Sequence, residues 1–185
     1  MNRSVFEMHW QYYLSIEKML AKTNQYVMHS DKNKNVYSDE FASIILLSCS
    51  ELDSLFKQLC INCGIQSKGR HFNINDYAPA IQRCMSNDFG IATSTRTLND
   101  DNLVIIPFNN INAAKTYANL HWWKDYQLIK HDRIKNVAAG NLLNAVSSVA
   151  AHFLVLRELI EFIDESRVRE YLKKNCWTDY WIPAL

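Results

Sequence analysis

The sequence predicts an all-α fold, an antiparallel helical bundle with a small β-hairpin or irregular insertion around residues 88–110. Three observations lead to this prediction. Apolar residues recur at helical spacing over several long stretches. The 185 residues include only four glycines and three prolines, and few helix breakers are typical of a helical chain. The predicted helices are joined by short or medium segments, which favours antiparallel neighbours.

The N-terminal part of the chain predicts two long helices. Residues 5–28 carry apolar side chains at helical spacing, and a polar loop at 29–37 follows them. Ser38 and Asp39 then offer an N-cap for a second helix over 41–63. A short polar side chain in that position can accept a hydrogen bond from an otherwise unpaired backbone N–H group.

Gly64 is the predicted stop of the second helix, because glycine tolerates the left-handed conformation that ends many helices. After a loop, Asn75 is expected to cap a shorter helix that reaches about Met85. Residues 88–110 contain two β-rich runs, GIATSTRTL and LVIIPF, separated by the turn cluster NDDN. We expect the strand content of the protein to be confined to this insertion.

Helical periodicity returns from Ala113 to about Val137, and Gly140 interrupts it. The segment 141–163 is the most apolar of the predicted helices, so we expect it at the centre of the bundle. Residues 164–185 complete the single domain, residues 1–185, as a short C-terminal helix and a tail. The aromatic side chains of that tail are expected to dock on the bundle.

Composition limits the function classes. Nearly half of the residues, 48%, are hydrophobic, so one sizeable core can form. The formal charge of +1 gives no overall positive field that would attract duplex DNA, although a local basic patch is still possible. No phosphate-binding glycine loop and no dinucleotide fingerprint occur in the sequence.

The stretch HWWKDYQLIKHDR, residues 121–133, places charges on an aromatic face. On a helical wheel Lys130 and Arg133 fall within that face, and His131 flanks it. The face itself comprises Trp122, Trp123, Tyr126, Ile129, Ile134 and Val137. A cation there is costly unless it reaches water or an anion. The cations therefore either snorkel past the aromatic rings or form a partly buried polar centre.

The polar-centre interpretation requires an anion between the helices. Glu51 is the best candidate, because it lies at the edge of the apolar face of the second helix. Arg157 is a further ionisable residue on an apolar face, that of the predicted central helix. We therefore expect Glu51 to contact Arg133, or failing that Lys130 or Arg157, across the bundle.

Two stretches resemble the HEPN superfamily. WWKDYQLIKHDR followed by AAGNLLNAVSSVAAHFLVL resembles the C-terminal helix pair of HEPN domains, and CSELDSLFKQLC resembles an earlier helix of the same bundle. The resemblance implies an all-α bundle, usually dimeric, that is often encoded in prokaryotic toxin–antitoxin or phage-defence modules. It also implies metal-independent ribonuclease activity in many members. The implied partners are RNA, an antitoxin-like protein and a second copy of the chain.

The nuclease motif of that superfamily is an arginine followed four to six residues later by a histidine, and this chain departs from it. Arg133 comes after His131, and Arg3 and His9 have the spacing only at the N-terminus. Two functions therefore stay open. One is a HEPN-like RNA-binding protein or ribonuclease, and the other is a non-catalytic helical interaction or dimerisation module.

In a ribonuclease, His131 would be the acid–base group for attack of the RNA 2′-hydroxyl on its adjacent phosphate. Lys130 and Arg133 would stabilise the developing negative charge. Trp122 and Tyr126 could offer faces on which an unpaired base stacks. The alternative is that His131 is a surface histidine and that the aromatic side chains belong to the core.

The cysteines predict neither a cofactor nor a metal site. Cys60 and Cys63 form a single CxxC, whereas a structural zinc site needs four ligands, and His71 and Cys84 would complete such a set only at irregular spacing. The odd number of cysteines and the lack of an apolar leader predict a cytoplasmic protein. No apolar run predicts a membrane span.

Overall fold

The computed structural model describes residues 1–84, 91–93, 103–109, 111, 119–176 and 178–183. The described residues form a helical bundle, and the all-α prediction is confirmed. The helices are α1 (Arg3–Thr23), α2 (Asp39–Asn62), α3 (Ile74–Cys84), α4 (His121–Asp132), α5 (Leu142–Leu159) and α6 (Ser166–Asn175). Three short strands accompany them, β1 (Ile91–Thr93), β2 (Val104–Ile105) and β3 (Trp181–Pro183).

Helix α5 is the centre of the bundle, as predicted from its apolar composition. It packs against α1, α2 and α4, with its largest interface to α2. The segment Leu142–Phe162 is long and apolar enough to span a membrane, which the sequence did not lead us to expect. Because 83% of an 18-residue apolar window in this segment is buried inside the bundle, the segment has the character of the core helix of a soluble protein.

Local capping explains where α2 begins and ends. The Ser38 hydroxyl accepts a hydrogen bond from the Phe41 N–H at 3.1 Å, so the predicted N-cap is confirmed. Gly64 has a φ of +69°, and the Ile65 N–H donates to the Cys60 carbonyl at 2.9 Å. This left-handed turn satisfies a carbonyl of the last helical turn, which confirms Gly64 as the stop.

The predicted cap of α3 at Asn75 is wrong by two residues. The helix begins at Ile74, directly after Asn73. The Asn73 side-chain oxygen accepts from the Asn75 N–H at 3.0 Å, and the Asp76 carboxylate accepts from the Asn73 N–H at 3.0 Å. The capping function therefore belongs to Asn73 with Asp76, because both bonds form around the residue that precedes the helix.

The strands extend beyond the insertion. Strand β1 pairs antiparallel with β2, as expected for residues 88–110, and it pairs antiparallel with β3 on its other side. The expectation that strand content is confined to 88–110 is therefore wrong, since the C-terminal tail supplies β3. Residues 88–90, 94–102 and 110 of the predicted insertion lie outside the described residues, as do residues 85–87 before it.

The tail docks on the bundle, as expected from its aromatic composition. Trp181 is 2% exposed, and its indole N–H donates to the Tyr13 hydroxyl at 2.6 Å. The Glu17 carboxylate accepts from the Tyr13 hydroxyl and, at 2.7 Å, from the Thr178 hydroxyl. Burial raises the pKa of Glu17, and these bonds satisfy the polar groups that the docked tail covers.

Candidate functional site

The aromatic side chains of α4 are part of the core. Trp122, Trp123 and Tyr126 are 4%, 3% and 4% exposed. The Trp122 indole N–H donates to the Pro107 carbonyl at 2.8 Å, and Trp123 meets Phe56 edge to face with ring centroids 5.7 Å apart. Their rings are covered by protein. The expectation that Trp122 and Tyr126 offer stacking faces for a base is therefore wrong.

The helical-wheel prediction is wrong beyond the end of α4, because the chain leaves the helix there. Residues 112–118, which include the start of the predicted helix, lie outside the described residues. Helix α4 ends at Asp132, and the Asn136 amide donates to the Asp132 carbonyl at 2.7 Å in the following turn. Ile134 and Val137 leave the apolar face because of this turn, and they are 82% and 46% exposed.

The cations of α4 reach water. Lys130 is exposed, with its ammonium nitrogen 5.6 Å from the centre of the Tyr126 ring. The Arg133 guanidinium donates to the Asp39 carboxylate at the start of α2, and these side chains are 49% and 85% exposed. The snorkelling interpretation is the one that the structure supports.

The predicted contact of Glu51 with Arg133 is wrong. Glu51 pairs with His9 of α1, and their side chains are 20% and 27% exposed. In the described part of the chain, Glu51 contacts neither Lys130 nor Arg157. The positions of the side chains around the α2 axis explain this. Asp53 lines a groove together with residues of α4. Glu51 precedes Asp53 by two residues, so its side chain points about 200° away around the helix axis and cannot reach α4.

Arg157 stabilises the end of a neighbouring helix. Its guanidinium donates to the Lys173 carbonyl at 2.8 Å and to the Cys176 carbonyl at 3.2 Å. Burial lowers the pKa of the guanidinium. The carbonyls at a helix C-terminus carry partial negative charge and lack helical partners, so Arg157 satisfies the end of α6.

Two buried histidines differ in their hydrogen bonding. His29 bonds to the Thr23 hydroxyl at 2.8 Å and to the Tyr180 hydroxyl at 2.6 Å, and burial lowers its pKa to about 4. His152 on α5 is fully buried, and in the described part of the chain neither ring nitrogen has a hydrogen-bond partner. Burial, with a smaller contribution from His9, lowers the pKa of His152 to about 3.

His131 lies in a groove between α2, the loop before α3, and α4. The groove has a volume of about 390 Å³. We call it the His131 groove, and it is lined by Asp53, Phe72, Asn73, Ile74, Trp123, Gln127 and His131. The Asp53 carboxylate already has partners within the protein, because it bonds to Lys57 and accepts a hydrogen bond from the Tyr77 hydroxyl at 2.8 Å. Within the described residues, Gln127 and His131 make no hydrogen bond to protein, so both can bond to a ligand.

A short basic run flanks the His131 groove, and the sequence reasoning missed it. Lys68, Arg70 and His71 are exposed in the loop that leads directly into Phe72 and Asn73. The signal in the sequence is the run KGRHFN, in which basic residues precede an aromatic and an amide. The sequence alone predicts only a loop there, because nothing local indicates that this loop borders α4.

Arg133 lies in a different groove. That groove has a volume of about 250 Å³ and is lined by Tyr37, Ser38, Asp39, Ala42, Arg133, Asn136 and Val137. His131, Lys130 and Arg133 are thus not brought together around one phosphate. His131 and Arg133 line separate grooves, and Lys130 lies over Tyr126.

Within the described ranges, no group of three or more histidine, cysteine, aspartate and glutamate side chains is arranged to hold a metal ion. The five cysteines are free thiols. Comparison of the chain with protein-family models, with curated proteins and with solved structures gave no match.

Proposed function

We propose that this chain is a HEPN-like RNA-binding protein of a prokaryotic defence or toxin–antitoxin system, and that it contacts RNA in the His131 groove. An antitoxin-like protein is the proposed partner in that system, and the cytoplasm is the proposed location. The five free thiols support that location, since a reducing compartment keeps cysteines unpaired.

One observation carries the RNA-binding proposal. The side chains of Gln127 and His131, which have free hydrogen-bonding capacity, line the same groove as the residues that follow the basic run 68–71. A volume of about 390 Å³ suits a small ligand such as one nucleotide. Polar side chains can bond to base edges while lysine and arginine hold the phosphates.

Unpaired RNA is the favoured substrate class. Single strands expose the base edges that an amide and an imidazole can reach, whereas base-paired A-form RNA hides them in a deep, narrow groove. Because the net charge of the chain is near zero, electrostatic attraction of RNA must come from a local basic segment such as the run 68–71. If the protein also cleaves RNA without metal, His131 would supply the acid–base group.

The experiment measures binding and cleavage of a labelled single-stranded RNA of mixed sequence, with a chelator present. Lys68→Ala with Arg70→Ala should weaken binding and reduce the salt dependence by about 0.7 in logarithmic slope for each phosphate that is no longer neutralised. Lys22→Ala is the control for loss of a positive charge elsewhere, because Lys22 lines another groove and its removal should change affinity little. Equally weakened binding in both variants, or no binding at low salt, would contradict the proposal.

His131→Ala separates binding from catalysis. Loss of cleavage with affinity retained would identify His131 as the acid–base group. Loss of affinity in a protein that does not cleave RNA would identify it as a binding residue. An unchanged affinity and an unchanged cleavage rate would remove His131 from the site altogether.

A homodimer is the second proposal, and it rests on a different surface. Ile134 is 82% exposed and Tyr37 is 56% exposed, and Tyr37 and Val137 line the groove that contains Arg133. Apolar side chains beside the charged pair of Arg133 and Asp39 match the apolar centre and polar rim of protein interfaces. Sedimentation at micromolar concentration should give a dimer, and Ile134→Lys should give a monomer. A wild-type monomer would refute this proposal.

A further inference from the structure

Two cysteines at the ends of different helices meet beside the loop that carries the basic run. Cys63 is the residue that follows α2, and Cys84 is the last residue of α3. Their sulfur atoms are 3.1 Å apart, although both are free thiols. A disulfide bond measures about 2.05 Å, so an approach of about 1 Å would join them.

We propose that Cys63 and Cys84 form a reversible disulfide, a modification site that peroxide oxidises. Both side chains are half-buried, so a small oxidant can reach them. The bond would close the chain between the end of α2 and the end of α3, and would thereby brace the loop between these helices. This inference stands independently of RNA binding, because it depends only on the thiol pair.

The other thiols of the chain are poorer candidates. Cys49 is completely buried, and Cys176 is 4% exposed. Cys60 precedes Cys63 by one helical turn but is also buried, and its thiol contacts the Asp76 carbonyl at 3.5 Å. Burial raises the pKa of Cys60 to about 11, and protein covers its sulfur, so an oxidant does not reach it.

Cys63 is the sulfur that reacts first with the oxidant. Burial and the contact with Cys63 raise the pKa of Cys84 to about 12, so Cys84 stays a thiol. The guanidinium of Arg83 donates to the Cys63 carbonyl at 3.2 Å and so holds the end of α3 beside Cys63.

The chemistry balances with hydrogen peroxide as the oxidant. The Cys63 thiolate attacks one peroxide oxygen, the O–O bond breaks, and the departing hydroxide takes up the proton that Cys63 released. The Cys84 sulfur then attacks the resulting sulfenic sulfur, and the S–O bond breaks. The proton of Cys84 passes to the departing oxygen as water. Two thiols give up two electrons, and one peroxide becomes two water molecules.

Peptide mapping of the full-length protein tests the proposal. The reduced protein is treated with equimolar hydrogen peroxide, the remaining thiols are alkylated, and the chain is digested with trypsin without reductant. Trypsin places Cys63 in peptide 58–68 and Cys84 in peptide 84–96. The expected product is the linked pair of these peptides, which dithiothreitol separates, with two of the five thiols consumed.

The controls identify the sulfur atoms. Cys63→Ser should abolish the linked peptides, whereas Cys60→Ala should retain them, although Cys60 lies in the same tryptic peptide as Cys63. A bond within peptide 58–68, a link between two chains, or five intact thiols would overturn the proposal. The wild-type digest alone distinguishes these results if a variant does not fold.

Discussion

Replacing His152 by leucine should stabilise the protein, although His152 lies in the centre of the bundle. The ring is fully buried on α5, and in the described part of the chain both of its nitrogens lack a hydrogen-bond partner. It meets the Tyr13 ring edge to face, with centroids 5.2 Å apart. Leucine fills most of the same volume and carries no polar atom.

The magnitude follows from two opposing contributions. A buried polar group without a partner costs about 1–3 kcal/mol, and His152→Leu removes this cost. Loss of the edge-to-face interaction with Tyr13 offsets about 0.5–1.5 kcal/mol of the gain. The net expectation near pH 7.5 is an increase of about 1 kcal/mol in the free energy of unfolding.

Acid should enlarge the difference. Burial lowers the pKa of His152 from 6.5 to about 3, so the unfolded chain binds the proton first. The free energy of unfolding is therefore unaffected by this proton above about pH 6.5, and it decreases as the pH falls toward 3. At pH 5 this loss is about 2 kcal/mol in the wild type and is absent from the variant.

Urea unfolding followed by circular dichroism, near pH 7.5 and near pH 5, measures both effects. His29→Leu is the matched control, because His29 is buried but bonded to Thr23 and Tyr180. It should lower the free energy of unfolding near neutral pH by about 1–3 kcal/mol, since it removes satisfied hydrogen bonds. Destabilisation of His152→Leu at both pH values would refute the reasoning about an unpartnered ring.

Three further predictions concern stability. Gly140→Ala should cost about 1–3 kcal/mol in urea unfolding, because a Cβ there would lie 2.9 Å from a side-chain carbon of α2. Glu51→Ala should cost about 1 kcal/mol by the same measurement, since its pair with His9 is partly exposed, and a loss above about 3 kcal/mol would mean a fully buried pair. Oxidation of Cys63 and Cys84, which are 21 positions apart, should raise the free energy of unfolding by about 3 kcal/mol, and an unchanged value would mean that the bond strains the folded state.

The start and end of α2, which neighbouring residues decide, could be predicted from the sequence, although the cap of α3 was misplaced by two residues. Ser38 caps α2 through a bond to a backbone group three residues away, and Gly64 ends that helix through its own backbone conformation. The central position of α5 was also predictable, because a helix that is apolar on nearly all sides is stable in water only when surrounded by other elements.

Features decided by the packing of distant segments could not be predicted. A wheel places Glu51 near the edge of an apolar face but does not say which neighbouring helix that edge meets. In the structure the neighbour is α1, and Glu51 pairs with His9. The pairing of β3 with β1 likewise depends on where the tail returns after α6, a distance in space that local periodicity does not contain.

The docked tail and the His131 groove differ in how their polar groups are bonded. Beneath the tail, the buried polar groups of Tyr13, Glu17 and Trp181 bond to one another or to the tail, so they have little capacity left for a ligand. On the side of α4, Gln127 and His131 face an open groove without bonds to the described protein residues. A polar ligand can bond to such groups in exchange for water, without breaking a bond within the protein. This supports the proposal that a ligand binds in the His131 groove, even though the predicted charge pair across the bundle does not form.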